Sequence, residues 1–182
     1  MSAGPLVLVG GGVRTGKSRF ALERAREAGP RRVLLATAEP TDHGMKERIR
    51  RHQEDRGDDF LVVEEPLELP KVVLAIDGID VLVVDCLTVW IANQMLRGGR
   101  EEEIVGSTDA LLEALADRPF TSILVTNEVG MGVHPPTALG LEFRDICGRV
   151  HQRVAARTDE VYLGVLGIML RLKPGPVGAM GR

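Results

Sequence analysis

GGVRTGKS, residues 11–18, matches the phosphate-binding pattern GxxxxGK[ST]. The stretch lies between an apolar run at residues 6–9 and a helical pattern that begins at Lys17, which is the strand–loop–helix context that the pattern requires. Glycines let the backbone curl so that successive N–H groups point into one anion-sized hollow at the positive end of the helix. We therefore predict that this loop binds a nucleotide. Its residues are Gly11, Gly12, Val13, Arg14, Thr15, Gly16, Lys17 and Ser18.

The polar residues of the loop and one later acid predict phosphate and metal chemistry. Lys17 is expected to reach the β- and γ-phosphates as a catalytic point charge, and Ser18 to offer its hydroxyl to Mg²⁺. Such a loop needs a metal-binding carboxylate at the tip of a neighbouring strand, and VLVVD at residues 81–85 supplies four aliphatic residues followed by Asp85. We predict Ser18 and Asp85 as the metal ligands. The alternative is that Asp85 caps the helix that follows.

The rest of the chain predicts an α/β fold of the P-loop NTPase type, with a mostly parallel sheet flanked by helices. Short β-branched runs alternate with longer amphipathic or charged stretches, as such a sheet requires. The predicted strands are 6–9, 33–37, 60–63, 81–85, 122–126 and 161–166. The predicted helices are 17–28, 43–55, 87–96, 104–116 and 139–156.

The carboxyl-terminal part of the chain predicts an edge hairpin and a tail. Gly167 followed by an apolar run at residues 168–172 indicates an antiparallel hairpin that closes one side of the sheet. Residues 174–182 are rich in Gly and Pro, and we expect a mobile tail there. The length of 182 residues suits a single domain, assigned here to residues 1–173.

Composition narrows the function classes. The chain is 44% hydrophobic and 27% charged with a net charge of −3, which is typical of a soluble globular protein and argues against a basic surface for nucleic acid. Its two cysteines have no metal-binding spacing, and no run of apolar residues is long enough for a signal peptide core or a membrane span. We expect a cytoplasmic protein that binds small molecules.

A charged segment at residues 47–56 contains His52 among four arginines. A solvated helical face is one interpretation of such a run. The other is that His52 is a catalytic nucleophile, because neighbouring cations favour the neutral imidazole that attacks phosphorus, and arginines hold phosphate oxygens. The remaining histidines, His43, His134 and His151, are expected to be surface or packing residues.

Several segments, in order along nearly the whole chain, resemble one family, the bifunctional adenosylcobinamide kinase and adenosylcobinamide-phosphate guanylyltransferase of cobalamin synthesis. The loop at 11–18 is common to many enzymes, whereas TNEVGMG followed by FRD and GR is much more particular. The segments are GGVRTGKS (11–18), ATA (36–38), RIRRH (48–52), VDCLT (84–88), TNEVGMG (126–132) and FRDICGRV (143–150).

The resemblance implies two reactions at one site. In the first, the γ-phosphate of ATP or GTP passes to the hydroxyl of the aminopropanol arm of adenosylcobinamide. In the second, a histidine attacks the α-phosphate of GTP, pyrophosphate leaves, and adenosylcobinamide phosphate takes GMP from the histidine, giving adenosyl-GDP-cobinamide. A covalent intermediate divides one difficult displacement into two easier ones. The resemblance also implies a RecA-like fold, Mg²⁺ and a homotrimer.

Carried over by position, the resemblance implies further site residues. Ala36, Thr37 and Ala38 fall on a nucleotide-contacting strand end, Glu64 on an acid that contacts the nucleotide, and Asp85 on the acid beside Mg²⁺. Nucleotide contacts are also expected at Gln53, Glu54 and Asp55.

The histidine motif departs from the family pattern. Some members carry a His-His pair with the first histidine as nucleophile, whereas this chain has Arg51-His52, so the nucleophile is assigned to His52. At His151 the family often has Asn. In the loop after residue 126, Glu128 either accepts a proton or holds an arm of the corrinoid, or else stabilises a turn.

Two rival functions remain at this point. A kinase with one activity would phosphorylate the corrinoid without forming a GMP adduct on the protein. A non-enzymatic GTP switch or motor subunit would use hydrolysis to change conformation, and the chain has no Asn-Lys-x-Asp stretch to read guanine.

Overall fold

The computed structural model describes residues 3–40, 50 and 58–180, which form one mixed sheet with helices on both faces. The strands are β1 (Leu6–Gly11), β2 (Arg32–Ala36), β3 (Leu61–Glu64), β4 (Val81–Asp85), β5 (Thr121–Val125), β6 (Glu160–Val165), β7 (Ile168–Lys173) and β8 (Gly178–Ala179). Within the described ranges, the helices are α1 (Lys17–Ala28), α2 (Leu69–Ala75), α3 (Leu87–Leu96), α4 (Glu101–Ala116) and α5 (Ala138–Arg157).

The order of the strands is β3-β2-β4-β5-β1-β6-β7-β8. Strands β1 to β6 pair in parallel, and β7 and β8 pair antiparallel at one side. Parallel strands all end at the same side of a sheet, which we call the carboxyl edge, so the loops after β1, β2, β4 and β5 meet there. The prediction of a mostly parallel sheet with an antiparallel hairpin is confirmed.

The core consists of two clusters that lie on opposite faces of the sheet. Successive side chains of a strand point to opposite faces, so Leu6 and Leu8 of β1 pack in one cluster and Val7 and Val9 in the other. The first cluster includes buried residues of α2, α3, α4 and α5, among them the fully buried Trp90. The second cluster is covered by α1. All six residues of β1 are buried. This explains why the central strands read as continuous aliphatic runs.

The helices match the predicted positions with small differences. α1 and α3 have the predicted bounds, and α5 is one residue longer at each end. α4 begins at Glu101 and not at residue 104, because three acids occupy its first turn and Glu103 accepts a hydrogen bond from the Arg100 N–H in a capping box. Sequence periodicity misses such a polar first turn. The predicted helix at residues 43–55 lies outside the described residues.

Two elements were not predicted. α2 spans only seven residues and contains a proline in its first turn, so its pattern is too short to register as helical. β8 pairs with β7 through Leu170 and Arg171, within the segment assigned to the tail; the mobility of that tail stays a prediction. Each helix in the described ranges falls short of the length and apolarity that a bilayer crossing demands.

Candidate nucleotide-binding site

The loop between β1 and α1 enters the helix through a left-handed glycine. Gly16 precedes the helix with φ +87°, a left-handed conformation, although an added Cβ there would meet no atom within 4 Å. The glycine is therefore required by the backbone conformation and not by crowding. No side chain caps α1, and its first turn contains no acid. The positive end of α1 consequently faces the loop without a carboxylate of its own.

Two side chains converge on one carbonyl oxygen of this loop. Lys17 Nζ lies 3.1 Å from the Gly12 oxygen, and Thr15 Oγ1 donates to the same oxygen at 3.0 Å. The side chain of Lys17 is buried, with 7% of its surface exposed. The ammonium group is thus held against the main chain of the loop.

Strand β6 supports the loop at a glycine that sequence analysis did not single out. A Cβ on Gly164 would lie 2.8 Å from Thr15 Oγ1 and 3.1 Å from Met169 Sδ. A Cβ on Gly11 would lie 2.8 Å from the Gly164 carbonyl oxygen. Only glycine at both positions lets the loop approach β6 this closely. The available signal was an isolated glycine inside a strand pattern, which marks a close backbone approach.

Asp85 ends β4, which is separated from β1 by β5 alone. The first residue flanking α3 is Cys86, and no side chain caps that helix, so the alternative that Asp85 caps α3 is wrong. Among residues 3–40, 50 and 58–180, no hydrogen bond or ion pair involves the Asp85 carboxylate, which is partly buried. A hard oxygen donor in this state fits a divalent cation.

The strand ends bring three predicted site residues into one row. Ala36 of β2 is in register with Glu64 of β3 on one side and with Asp85 of β4 on the other. All three therefore lie at the carboxyl edge, as predicted. No cluster of three or more metal-binding side chains occurs in the described part of the chain. Mg²⁺ usually takes only one or two protein carboxylates and completes its shell with phosphate and water, so this row is compatible with the ion.

Thr37 has a structural contact that its assignment to the nucleotide did not anticipate. It is fully buried, and its Oγ1 accepts from the Cys86 N–H and donates to the Cys86 carbonyl, both at 2.9 Å. The Thr37 carbonyl accepts from the Asn93 side chain at 2.8 Å. The hydroxyl thus joins the ends of β2 and β4 directly behind Asp85. Contact of Thr37 or Ala38 with a nucleotide stays a prediction.

The loop after β5 is tied to the phosphate loop by main-chain hydrogen bonds. The Glu128 N–H donates to the Gly11 carbonyl at 3.0 Å, and the Thr126 N–H donates to the Val9 carbonyl at 3.0 Å. On its other side, the Asn127 N–H donates to Thr88 Oγ1 at 2.7 Å. The loop is therefore fixed between α3 and the nucleotide loop.

A polar network extends from this loop into the helical layer. Thr88 Oγ1 lies 2.9 Å from Thr126 Oγ1, which lies 2.7 Å from His151 Nε2. His151 Nδ1 lies 3.6 Å from Glu128 Oε2. Burial lowers the pKa of His151, and the Glu128 carboxylate opposes that shift. The lowered pKa favours the neutral ring at physiological pH.

The expectation that His151 is a surface or packing residue is only partly right. Its side chain is largely buried, and both ring nitrogens face residues at the site. Glu128 Oε1 accepts from the Gly130 N–H at 2.6 Å, so this acid does stabilise a turn. The turn uses only Oε1, whereas Oε2 faces His151.

Large apolar side chains are exposed beside this polar centre. Val13 of the phosphate loop is 78% exposed, and Met131, Val133 and Leu166 are more than 80% exposed in loops of the carboxyl edge. His134 is exposed in the same region. His52, Gln53, Glu54 and Asp55 lie outside the described residues, as do His43 and Arg51.

Comparison with known proteins identifies relatives over almost the whole chain. The family described as "Cobinamide kinase / cobinamide phosphate guanyltransferase" matches residues 7–172. The bifunctional adenosylcobalamin biosynthesis protein CobP of Pseudomonas aeruginosa is 37% identical over 93% of this chain and 98% of its own length. The bifunctional adenosylcobalamin biosynthesis protein CobU of Salmonella typhimurium is 35% identical over 92% of this chain and 99% of its own length.

Solved structures agree on the fold. The RadB recombinase aligns with a TM-score of 0.56 at 16% identity, covering 98% of this chain and 87% of its own. The KaiC-like protein PH0186 of Pyrococcus horikoshii aligns with a TM-score of 0.51 at 18% identity, covering 97% of this chain and 76% of its own. These proteins have the RecA-like P-loop fold, and the likeness establishes that fold alone.

Proposed function

Because the chain belongs to the cobinamide kinase / cobinamide phosphate guanyltransferase family, we propose that the carboxyl edge of its sheet holds the nucleotide for two successive reactions. The enzyme phosphorylates adenosylcobinamide with ATP or GTP, then transfers GMP from GTP to adenosylcobinamide phosphate, giving adenosyl-GDP-cobinamide. A kinase with a single activity is not supported, since the relatives are bifunctional by name.

The observation that carries the site assignment is the loop at residues 11–18. Its backbone amides and the uncapped start of α1 bind the phosphates, and Lys17 leaves the Gly12 carbonyl to contact the β- and γ-phosphates. Ala36, Thr37, Ala38 and Glu64 line the neighbouring strand ends. The remaining loop residues bind the phosphates through main-chain N–H groups. Because these groups contact only phosphate, the loop does not distinguish adenine from guanine.

Asp85 and Ser18 would hold Mg²⁺. When bound, the ion neutralises charge on the phosphate oxygens during transfer. The partly buried Asp85 carboxylate, without a cationic partner among the described residues, supports this assignment.

The guanylyl transfer uses His52 as the nucleophile. Its imidazole nitrogen forms a bond to the α-phosphorus of GTP, the bond to the bridging oxygen breaks, and pyrophosphate leaves. The phosphate oxygen of adenosylcobinamide phosphate then displaces the imidazole from phosphorus. Gln53, Glu54 and Asp55 contribute nucleotide contacts beside it. The four arginines around His52 in sequence support this role, because they favour a neutral imidazole and bind phosphate oxygens.

The enzyme acts as a homotrimer in the cytoplasm. The exposed apolar side chains beside the site support an assembled form, because large apolar groups grouped on one side of a protein often contact a partner. Sedimentation equilibrium would test the trimer, and a monomer at assay concentrations would contradict it.

Labelling with GTP tests the guanylyl transfer directly. The purified protein is incubated with α-labelled GTP, digested, and analysed by mass spectrometry for the peptide that contains Arg51 and His52. We expect an acid-labile GMP adduct on His52 and its loss in His52→Gln. His134→Gln is the matched control, since His134 is exposed, and it should retain the label. A wild-type protein that carries GMP elsewhere would overturn the assignment to His52.

A further inference from the structure

We propose that Glu128 accepts the proton of the attacking hydroxyl in the kinase reaction, and that His151 is a positioning residue that orients the Glu128 carboxylate. This inference rests on the proposed function, because it concerns the alcohol acceptor of the first reaction. It assigns a proton acceptor to a site whose other residues bind phosphate and metal.

The backbone places Glu128 beside the phosphate loop. Its N–H donates to the carbonyl of Gly11, the first residue of the phosphate loop. The residue follows β5, the strand between β1 with its loop and β4 with Asp85. Its side chain is 29% exposed, so the carboxylate is partly buried yet accessible to a substrate at the carboxyl edge.

The surroundings of Glu128 suit a proton acceptor. In the described part of the chain, His151 is the single basic side chain within ion-pair distance of this carboxylate. An arginine or lysine in contact would stabilise the charged form and weaken it as a base. Oε1 accepts from the Gly130 N–H, which fixes the plane of the carboxyl group and directs Oε2 toward His151.

The charge of Glu128 selects the direction of donation in the network behind His151. The Asn127 N–H donates to Thr88 Oγ1, and either hydroxyl of the Thr88–Thr126 pair can donate to the other, since the Thr88 hydroxyl also has the Asn127 carbonyl as an acceptor at 3.3 Å. A neutral His151 ring with its proton on Nδ1 faces the Glu128 carboxylate favourably at 3.6 Å, and Nε2 then accepts from the Thr126 hydroxyl. That distance exceeds a hydrogen bond, so the contact is electrostatic. The ring orientation is set by Thr126, which follows β5 and is itself held by Thr88 of α3, and the ring in turn orients Glu128.

The reaction step balances without a further reagent. The hydroxyl oxygen of adenosylcobinamide forms a bond to the γ-phosphorus, the bond from that phosphorus to the bridging oxygen breaks, and the nucleoside diphosphate leaves with the electron pair. The hydroxyl proton passes to Glu128 and from there to solvent. The attack on the α-phosphate of GTP by a neutral imidazole releases no such proton from an alcohol, so it does not need Glu128.

This difference between the two reactions defines the experiment. Phosphorylation of adenosylcobinamide is measured with ATP alone, and protein guanylylation with α-labelled GTP and no corrinoid. Glu128→Gln should lower kcat for phosphorylation by roughly a hundredfold, typical of a lost general base, with KM for ATP and the GMP label within about twofold of wild type. Glu113→Gln, an exposed acid on α4, is the matched control and should change neither.

Two further variants separate orientation from stability. His151→Leu should lower kcat for phosphorylation by about tenfold while His151→Asn, whose amide also donates and accepts, restores most of it. In Glu128→Ala, added formate should raise phosphorylation, since a small carboxylate replaces the missing base.

Three results would overturn the inference. They are phosphorylation by Glu128→Gln within threefold of wild type, equal loss of phosphorylation and GMP label in that variant, and equal rates for His151→Leu and His151→Asn. These three results presuppose an active wild-type enzyme and leave the proposed function intact. A wild-type enzyme that phosphorylates no corrinoid would instead overturn the proposed function itself.

Discussion

Replacement of Thr37 by valine tests whether one hydroxyl holds the strand ends behind Asp85. Valine keeps the shape of the side chain and removes both of its hydrogen bonds to Cys86. The Cys86 carbonyl still accepts from the Trp90 N–H at 3.1 Å, whereas the Cys86 N–H loses its hydrogen bond to the Thr37 hydroxyl. The removal of the acceptor of a buried donor costs about 1–3 kcal/mol, and the lost bond from the hydroxyl costs about 0.5–1.5 kcal/mol. We expect a loss of roughly 2–4 kcal/mol of unfolding free energy.

The matched control is Thr108→Val. Thr108 is also fully buried, but its hydroxyl donates to the Ile104 carbonyl, which the helix already satisfies. Its replacement should cost less than about 1 kcal/mol. Urea unfolding followed by circular dichroism measures both, and the Thr37→Val midpoint should fall by roughly 1–2 M. Mg-nucleotide affinity should fall in Thr37→Val and remain in Thr108→Val. Equal midpoints for the two variants would refute the reasoning.

Three other perturbations test the phosphate loop, the histidine network and the buried core, to which Cys147 of α5 belongs. Gly164→Ala introduces a Cβ 2.8 Å from Thr15 Oγ1, and the overpacking costs about 1–3 kcal/mol. Nucleotide binding, measured by calorimetric titration, should therefore weaken. In the control Gly106→Ala the new Cβ meets nothing within 4 Å, and nucleotide affinity should stay unchanged. Because burial lowers the pKa of His151, the unfolded state binds more protons than the folded state. The stability of the wild type should therefore fall relative to that of His151→Asn as the pH drops below about 6.5. Urea midpoints of the two proteins that run parallel from pH 8 to pH 5 would contradict this. Burial raises the pKa of Cys147 to about 12, so iodoacetamide at pH 8 should label this thiol only after denaturation, and rapid labelling of the native protein would show that the thiol is accessible.

Much of the fold followed from the sequence because its signals are local. Continuous aliphatic runs identify strands buried on both faces, and α1 and α3 begin and end where their patterns do. The polar first turn of α4 and the short helix α2 were not predicted, because neither contains enough apolar residues at helical spacing.

Some features of the site also followed from local sequence, and others only from the fold. Sequence alone determined the phosphate loop, because its function depends on backbone shape within eight consecutive residues, and the strand-end acid Asp85, because a run of aliphatic residues precedes it. Only the tertiary structure placed Gly164 against Thr15, Thr37 against Cys86, and His151 against Thr126 and Glu128. These pairs join residues far apart in the chain, and no local pattern encodes such contacts, which arise when parallel strands bring their ends to one edge.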